Sequence, residues 1–255
     1  MKTENQLEVI DLRIHCGKKT IVAGVSFACS TGCTAILGDI ASGKSTLTRG
    51  LTRTLPEDQG WQVEGDVRLN RKSMWDFAPE AWRRHCTMIM QRPTAFPGTT
   101  EWNVAFAPRQ LKVASESEIE QRVTGALELV ELSHMAKQPA DQLSGGQMQR
   151  MCIARAIPLL PATLILDEPS ASQSPPAARS LAALVRQIAN ERIILVVSHD
   201  ISFLERVASR FVFLHNDGTG ATVRAQGPIS MLRHPEDPVL AEFVGVSETE
   251  GAATR

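Results

Sequence analysis

Three short clusters in this chain of 255 residues combine side chains suited to phosphate chemistry. The first is Gly38-Asp39-Ile40-Ala41-Ser42-Gly43-Lys44-Ser45, which fits the loop pattern G-x-x-x-x-G-K-[ST] and stands between an apolar run and a helix-forming stretch. In such a loop successive backbone N–H groups and a helix N-terminus cradle phosphate oxygens. Lys44 then reaches the terminal phosphates, and the Ser45 hydroxyl ligates Mg²⁺. The second cluster is Leu164-Ile165-Leu166-Asp167-Glu168, an apolar strand that delivers two carboxylates at its C-terminal end, the rim where ligands bind in open α/β sheets. Asp167 suits holding Mg²⁺ through water, and Glu168 suits polarising a water that attacks a terminal phosphate. The third is Leu143-Ser144-Gly145-Gly146-Gln147-Met148-Gln149-Arg150, where a serine and two glycines leave a helix N-terminus uncrowded, a second anion site. A capping serine with flexible glycines accounts for the helix start, but not for Gln147, Gln149 and Arg150.

These clusters need a scaffold, and hydrophobic periodicity predicts one. Residues 7–14, 21–28 and 33–37 read as strands, 45–54 as a helix, and 61–70 as a further strand with a turn. Between about residues 91 and 158 strand signals give way to helical segments at 115–132 and 145–157, a helical insertion. Residues 163–166 and 193–197 are continuous apolar runs of the kind buried on both faces of a parallel sheet, and the amphipathic stretch 177–189 between them completes a βαβ unit. No internal repeat is visible, and the small polar tail 247–255 is expected to be disordered.

Composition limits what the clusters serve. At roughly 150 residues per domain the length predicts one large domain or two intimate lobes. Hydrophobic residues make up 43% and charged residues 22%, the composition of a folded, water-soluble protein. Lys plus Arg number 27 against 28 for Asp plus Glu, a net charge of −1 too balanced to announce a surface that coats nucleic acid, so any polyanion binding must be local. Cys16, Cys29, Cys33, Cys86 and Cys152 lack zinc or redox spacing and read as reduced, mostly buried thiols. No run approaches the ~20 apolar residues that span a bilayer, nor does the start resemble a signal peptide. A cytosolic protein is expected, meeting a membrane only through a partner.

The stretch 143–150, with the loop at 38–45 and the acidic strand end, resembles the ATP-binding cassette (ABC) ATPases, and the resemblance runs from about residue 7 to 244. It implies an α/β fold of the P-loop NTPase kind: a RecA-like core with an N-terminal antiparallel β subdomain over residues 1–90 and 159–255, and an inserted helical subdomain over 91–158. It further implies ATP and Mg²⁺ as ligands, with Thr46 joining residues 38–45 in the nucleotide site. The family has Ser144, Gly145, Gly146 and Gln147 face the γ-phosphate held by a second copy in a head-to-tail dimer. Gln91, after an expected strand at 87–90, resembles the glutamine that touches Mg²⁺ and the attacking water. His199, in Val196-Val197-Ser198-His199-Asp200, resembles the switch histidine that contacts the γ-phosphate. Three positions depart from the family pattern. Ala41 replaces a glycine. The chain has no tyrosine, and Cys16 stands where an aromatic usually stacks on adenine, with His15 as a substitute platform. Ser174 replaces the aspartate that closes the segment after Glu168-Pro169.

A single cassette without a membrane segment resembles the detached ATPase of a bacterial importer. Gln91-Arg92-Pro93-Thr94-Ala95-Phe96-Pro97 and Asn103-Val104-Ala105-Phe106 resemble the Pst-type phosphate-uptake ATPases in particular, as do residues 63–65 and 151–157. The resemblance implies an ATP-hydrolysing subunit at the cytoplasmic face of the inner membrane. Its partners there are a second copy, integral-membrane permease subunits and, indirectly, a periplasmic or extracellular solute-binding protein, with no nucleic acid. The alternatives are a cassette for another solute and a nucleotide-sensing regulatory module. Cassettes acting on DNA or ribosomes usually carry tandem copies or long heptad inserts, and neither occurs here.

Overall fold

The computed structural model describes residues 4–171 and 173–245. The tail 247–255 and Ser172, within the segment that departs from the family pattern, lie outside the described residues. The chain opens with β1 (Gln6–Cys16), β2 (Lys19–Ser30), β3 (Gly32–Gly38) and α1 (Lys44–Leu51), then β4 (Trp61–Leu69), β5 (Lys72–Ser73), α2 (Pro79–His85) and β6 (Cys86–Ile89). The helices α3 (Thr100–Gln110), α4 (Glu116–Leu129) and α5 (Gly145–Ala156) follow, then β7 (Thr163–Asp167), α6 (Pro175–Ala189), β8 (Ile193–Val197), α7 (Ile201–Val207), β9 (Arg210–Asn216), β10 (Ala221–Pro228) and α8 (Pro238–Val244).

Among the described residues the strands form one sheet in the order β5-β4-β1-β2-β10-β9-β3-β8-β7-β6. Its two halves differ in construction. The strands β9, β3, β8, β7 and β6 run parallel, whereas β2, β1, β4 and β5 pair antiparallel. The halves join through β10, whose ladder pairing with β2 is the single pair Ala221↔Val22.

The apolar runs of the parallel strands are continuous because both faces of this half are covered. Leu164, Leu166, Ile194, Val196, Phe211 and Phe213 join one buried cluster with α3, α4, α5 and α6. Their sequence neighbours Ile165, Leu195, Val197, Val212 and Leu214 join a second cluster with β1, β2 and α1. The antiparallel half bends where β1 and β4 shift register between Ile10 and Arg13. Gly65 is required at this bulge: its φ is 87°, and a Cβ there would lie 2.4 Å from the Asp11 carbonyl oxygen.

The helical stretch 91–158 contains α3, α4 and α5, which pack on one another. Each begins on a side-chain cap, with Thr99, Ser115 and Ser144 accepting from Trp102, Glu118 and Gln147 N–H groups. The described cysteines are all free, and all but half-buried Cys16 are buried. Burial pushes the Cys29, Cys33 and Cys86 thiols up to about 12, where thiolate chemistry is closed to them at neutral pH.

Candidate active site

The loop after β3 is shaped by three left-handed backbone positions, Gly38 (φ 149°), Ala41 (φ 64°) and Gly43 (φ 85°). A Cβ on Gly38 would lie 2.4 Å from the Leu214 carbonyl oxygen and 2.5 Å from Ser42 Oγ, so only glycine fits this crossing of the sheet end. Ala41 takes the conformation that its usual glycine would adopt freely, at a cost of roughly 1 kcal/mol. Lys44 Nζ donates to the carbonyls of Gly38 (2.6 Å) and Asp39 (2.7 Å) and to Ser42 Oγ (3.3 Å), holding its cation over the loop. Ile40 at the loop tip is 99% exposed, and Asp39, Ser45 and Thr46 line the solvent side of the same segment.

Strand β7 lies two places from β3, across β8, and ends on Asp167, which is buried. Burial raises the Asp167 carboxyl above its ordinary range and Glu168 adds to the effect, against the pull of Arg49 and Lys44. Burial lowers the Lys44 ammonium, opposed by Glu168, Asp39 and Asp167. Ser45, Gln91 and Asp167 line one cavity of about 730 Å³. Gln91 is exposed in a bend, not at a strand end as expected, because β6 stops at Ile89.

Glu168 occupies the left-handed region with φ 47°, a conformation that costs a non-glycine residue free energy and turns the side chain back across the sheet end. Its carboxylate is held at both oxygens: Ser198 Oγ donates to Oε2 at 3.0 Å, and His199 Nδ1 lies 2.8 Å from Oε1. With the carboxylate ionised, the imidazole N–H is the donor in the second bond. Ser198, fully buried, also accepts from Asp200 N at 3.1 Å. Sequence reasoning missed Ser198, although its place before His199 was the available signal. It also missed His215 on β9, whose buried Nδ1 has no hydrogen-bond partner among the described residues and lies 3.9 Å from Asp39 Oδ2.

The segment at 143–150 corrects one expectation. Ser144 Oγ accepts from Gln147 N, and Gln147 Oε1 accepts from Ser144 N at 2.9 Å, a reciprocal capping box. Arg150 donates to the Val130 carbonyl (3.0 Å) and to Ser180 Oγ (2.6 Å). Helix capping and packing thus account for Gln147 and Arg150 as well as for Ser144. Nothing lies within 4 Å of a Cβ placed on Gly145, and Gly146 meets only Gln173 Oε1 at 3.7 Å, so this helix end is open. These four residues stand outside the cavity that Ser45, Gln91 and Asp167 share.

Cys16 and His15 diverge. Alternation along β1 puts them on opposite faces, and His15 Nδ1 is bonded to Thr20 Oγ1 at 3.1 Å, so His15 does not take the place of Cys16 as a platform. The loop after Gln91 is tied down by buried Asn103, whose Oδ1 accepts from Phe96 N (2.8 Å) and whose Nδ2 donates to the Phe96 and Thr99 carbonyls (3.0 Å each). Arg155 donates to the Thr94 carbonyl at 3.0 Å and covers the Phe96 ring.

A phosphate-binding loop, an acidic strand end and a clamped glutamate on a mixed α/β sheet define a nucleotide-hydrolysing cassette. The model of the ABC transporter family matches residues 22–171. The chain belongs to the ABC transporter family and is an ABC-type ATPase subunit. It is 31% identical to the phosphate import ATP-binding protein PstB of Aeropyrum pernix, over 94% of this chain and 97% of that one. To the protein of the same name from Thermotoga maritima it is also 31% identical, over 93% and 96%. Among solved structures it is similar to cbiO1 of Clostridium perfringens, part of the ABC transporter complex cbiONQ, with TM-score 0.79 and 25% identity over 89% of this chain and 90% of that one. The fold alone is shared with an ATP-bound bacterial Atm1-family ABC exporter, at TM-score 0.77 and 20% identity over 96% of this chain and 42% of that one.

Proposed function

We propose that this ATPase drives uptake of inorganic phosphate through separate integral-membrane permease subunits. Phosphate as the solute is supported by the PstB relatives, matched over nearly their whole length, and by the Gln91–Pro97 loop. The observation that carries hydrolysis is the Glu168 carboxylate, gripped at both oxygens by the two residues that follow β8, the neighbour of the strand that feeds the loop.

In this reading the backbone amides of residues 38–46 and Lys44 bind the ATP phosphates, and the base lies at Cys16. Ser45, Gln91 and Asp167 offer hydroxyl, amide and carboxylate oxygens in one cavity. Hard oxygen donors with one carboxylate suit Mg²⁺, which draws its remaining ligands from substrate phosphates and water. Bound there it would neutralise charge on the transferring phosphoryl group. Glu168 orients the attacking water, while His199 and Ser198 hold the carboxylate in line. The open α5 N-terminus of a second copy, residues 144–147, closes over the phosphates in a head-to-tail dimer and excludes water. Reopening after hydrolysis moves the permease. The helical subdomain, residues 91–158, contributes the contact through an apolar groove of about 300 Å³ where its Phe96 and Phe106 meet Met88 and Leu159 of the core. The complex sits at the cytoplasmic face of the inner membrane, fed by a periplasmic or extracellular solute-binding protein. Among the described residues no helix is long and apolar enough to cross a membrane.

Labelled-phosphate uptake by phosphate-starved cells carrying the native chain or Glu168→Gln as their only copy tests the proposal. Uptake should collapse in the mutant alone. Equal import by both strains rejects phosphate as the solute.

A further inference from the structure

Cys16, where the proposed reading puts the nucleotide base, carries no ring, but the register of the sheet places one beside it. Cys16 pairs directly with Trp61 of β4, in an unbroken run with His15↔Gln62 and Ile14↔Val63. Directly opposed residues of an antiparallel pair project from the same face, with Cβ atoms roughly 5 Å apart. That face carries α1, because Ile14 Cδ1 lies 2.4 Å from where a Cβ on Gly50 would stand. At the start of α1, a Cβ on Gly43 would lie 3.2 Å from the Ile21 carbonyl oxygen and 3.8 Å from Val22 Cγ2. Val22 pairs with Ile14, and Ile14 with Val63. Trp61 is therefore two strands across and two residues along from the loop's anchor, about 12 Å by strand spacing and rise. An extended nucleoside triphosphate with its phosphates on the loop is long enough to bring its base to this position.

Trp61 is fixed in place there. Gly17 N donates to the Gly60 carbonyl at 3.1 Å, tying the β1–β2 turn to the residue before Trp61. The half-buried indole packs on the cluster that includes α1. Two other indoles are committed elsewhere: Trp75 Nε1 donates to the Gly65 carbonyl and Trp82 Nε1 to that of Leu51, each at 2.8 Å. The Trp61 N–H has no acceptor among the described residues. We propose that Trp61 supplies the base-stacking ring of this ATPase from the neighbouring strand, in place of the ring that Cys16 lacks. The proposal rests on the reading of residues 38–46 as the ATP phosphate site.

Equilibrium binding of ATP and of inorganic triphosphate, which has no base, tests it on wild type, Trp61→Ala, Trp61→Phe and the double variant Trp61→Ala/Cys16→Tyr, with Lys44→Ala as the control. Trp61→Ala should weaken ATP binding roughly 5- to 150-fold, the range of one base–aromatic stack, and leave triphosphate binding unchanged. Trp61→Phe should stay close to wild type, and the tyrosine at position 16 should restore ATP affinity. Undiminished ATP binding by Trp61→Ala overturns the proposal. An equal loss of both ligands also overturns it, because a purely structural tryptophan disturbs the loop without regard to the base. Should wild type bind neither ligand, or Lys44→Ala bind both normally, the phosphate-site reading has failed and this proposal falls with it.

Discussion

The proposed phosphate end and the proposed base end of the candidate site stand on opposite halves of the sheet, and the two halves hold their residues differently. At the phosphate end β3, β7 and β8 are buried on both faces and stop at one rim. Positions there are set by backbone: Gly38 has no room for a Cβ, and Glu168 is turned inward by a left-handed φ of 47°. At the base end β1 and β4 are antiparallel and partly exposed, and each site position has a cross-strand neighbour on the same face. In the proposal made above, a stacking function absent from one strand is supplied by the other. Chemical groups aimed by buried strand ends are hard to relocate, whereas a stacking surface on an open antiparallel edge is not.

The sharpest test of this contrast is Glu168→Gln. The substitution preserves shape and both neighbours but removes the carboxylate, so turnover should fall about 10²- to 10⁴-fold, the usual worth of a positioned general base, while ATP binding persists. Steady-state phosphate release and equilibrium ATP binding measure the two quantities. A mutant with brisk turnover breaks the assignment of chemistry to the β7 end.

Much of the phosphate end was legible in sequence because its motifs are contiguous. The loop at 38–45 and the pair Asp167-Glu168 each occupy one strand end, and apolar runs on either side betray the buried strands. The clamp on Glu168 was not legible, since Ser198 follows β8, 30 residues away, and only the pairing of β7 with β8 brings the two together. The expected strand 61–70 gave no hint of its partner, so the pairing of Trp61 with Cys16 appears only in the register. The strands β9 and β10 also went unread: β10 is half-exposed and contains Gly227 and Pro228, which blur alternation. Asn103 and Gln147, read as family marks, turn out to serve the fold locally, one pinning a loop and the other closing a helix cap.

The two holders of Glu168 sharpen the comparison inside the phosphate end. Ser198 is fully buried and makes two hydrogen bonds, whereas the His199 side chain is 73% exposed. Ser198→Ala leaves the Asp200 N–H without its acceptor and should destabilise the fold by about 1–2 kcal/mol, read by denaturant titration. His199→Ala should leave stability within about 0.5 kcal/mol and lower kcat, with little change in KM for ATP. A His199 variant that loses stability as deeply as the Ser198 variant contradicts the division of roles.

Asp167 exposes the conflict between stability and function at a buried strand end. Its folded-state pKa is raised above the ordinary 3.8, chiefly by burial. A raised carboxyl favours the folded state at pH below 3.8, and that contribution is lost as pH rises through the folded value. At neutral pH the ionised side chain therefore weakens the fold. Asp167→Asn should melt higher than wild type at pH 7, lose that advantage on acidification toward pH 3, and lose Mg²⁺-dependent hydrolysis throughout. Thermal denaturation across this range checks the sign, and an advantage that grows on acidification refutes it.

The smallest expected effect concerns Ala41, the one loop position where the phosphate end departs from glycine. Its methyl is exposed and its φ is 64°, so the side chain gains little from packing and the backbone pays about 1 kcal/mol for the left-handed turn. Ala41→Gly relieves that strain but lets the unfolded chain wander more, which returns roughly 0.4–1 kcal/mol. The net gain should lie between about 0 and 0.6 kcal/mol, at most a degree or two in Tm, with ATP affinity held or slightly improved. A clear fall in Tm means that the methyl packs usefully in the folded loop. The backbone of the phosphate end would then be less dominant over its side chains than Gly38 and Glu168 indicate.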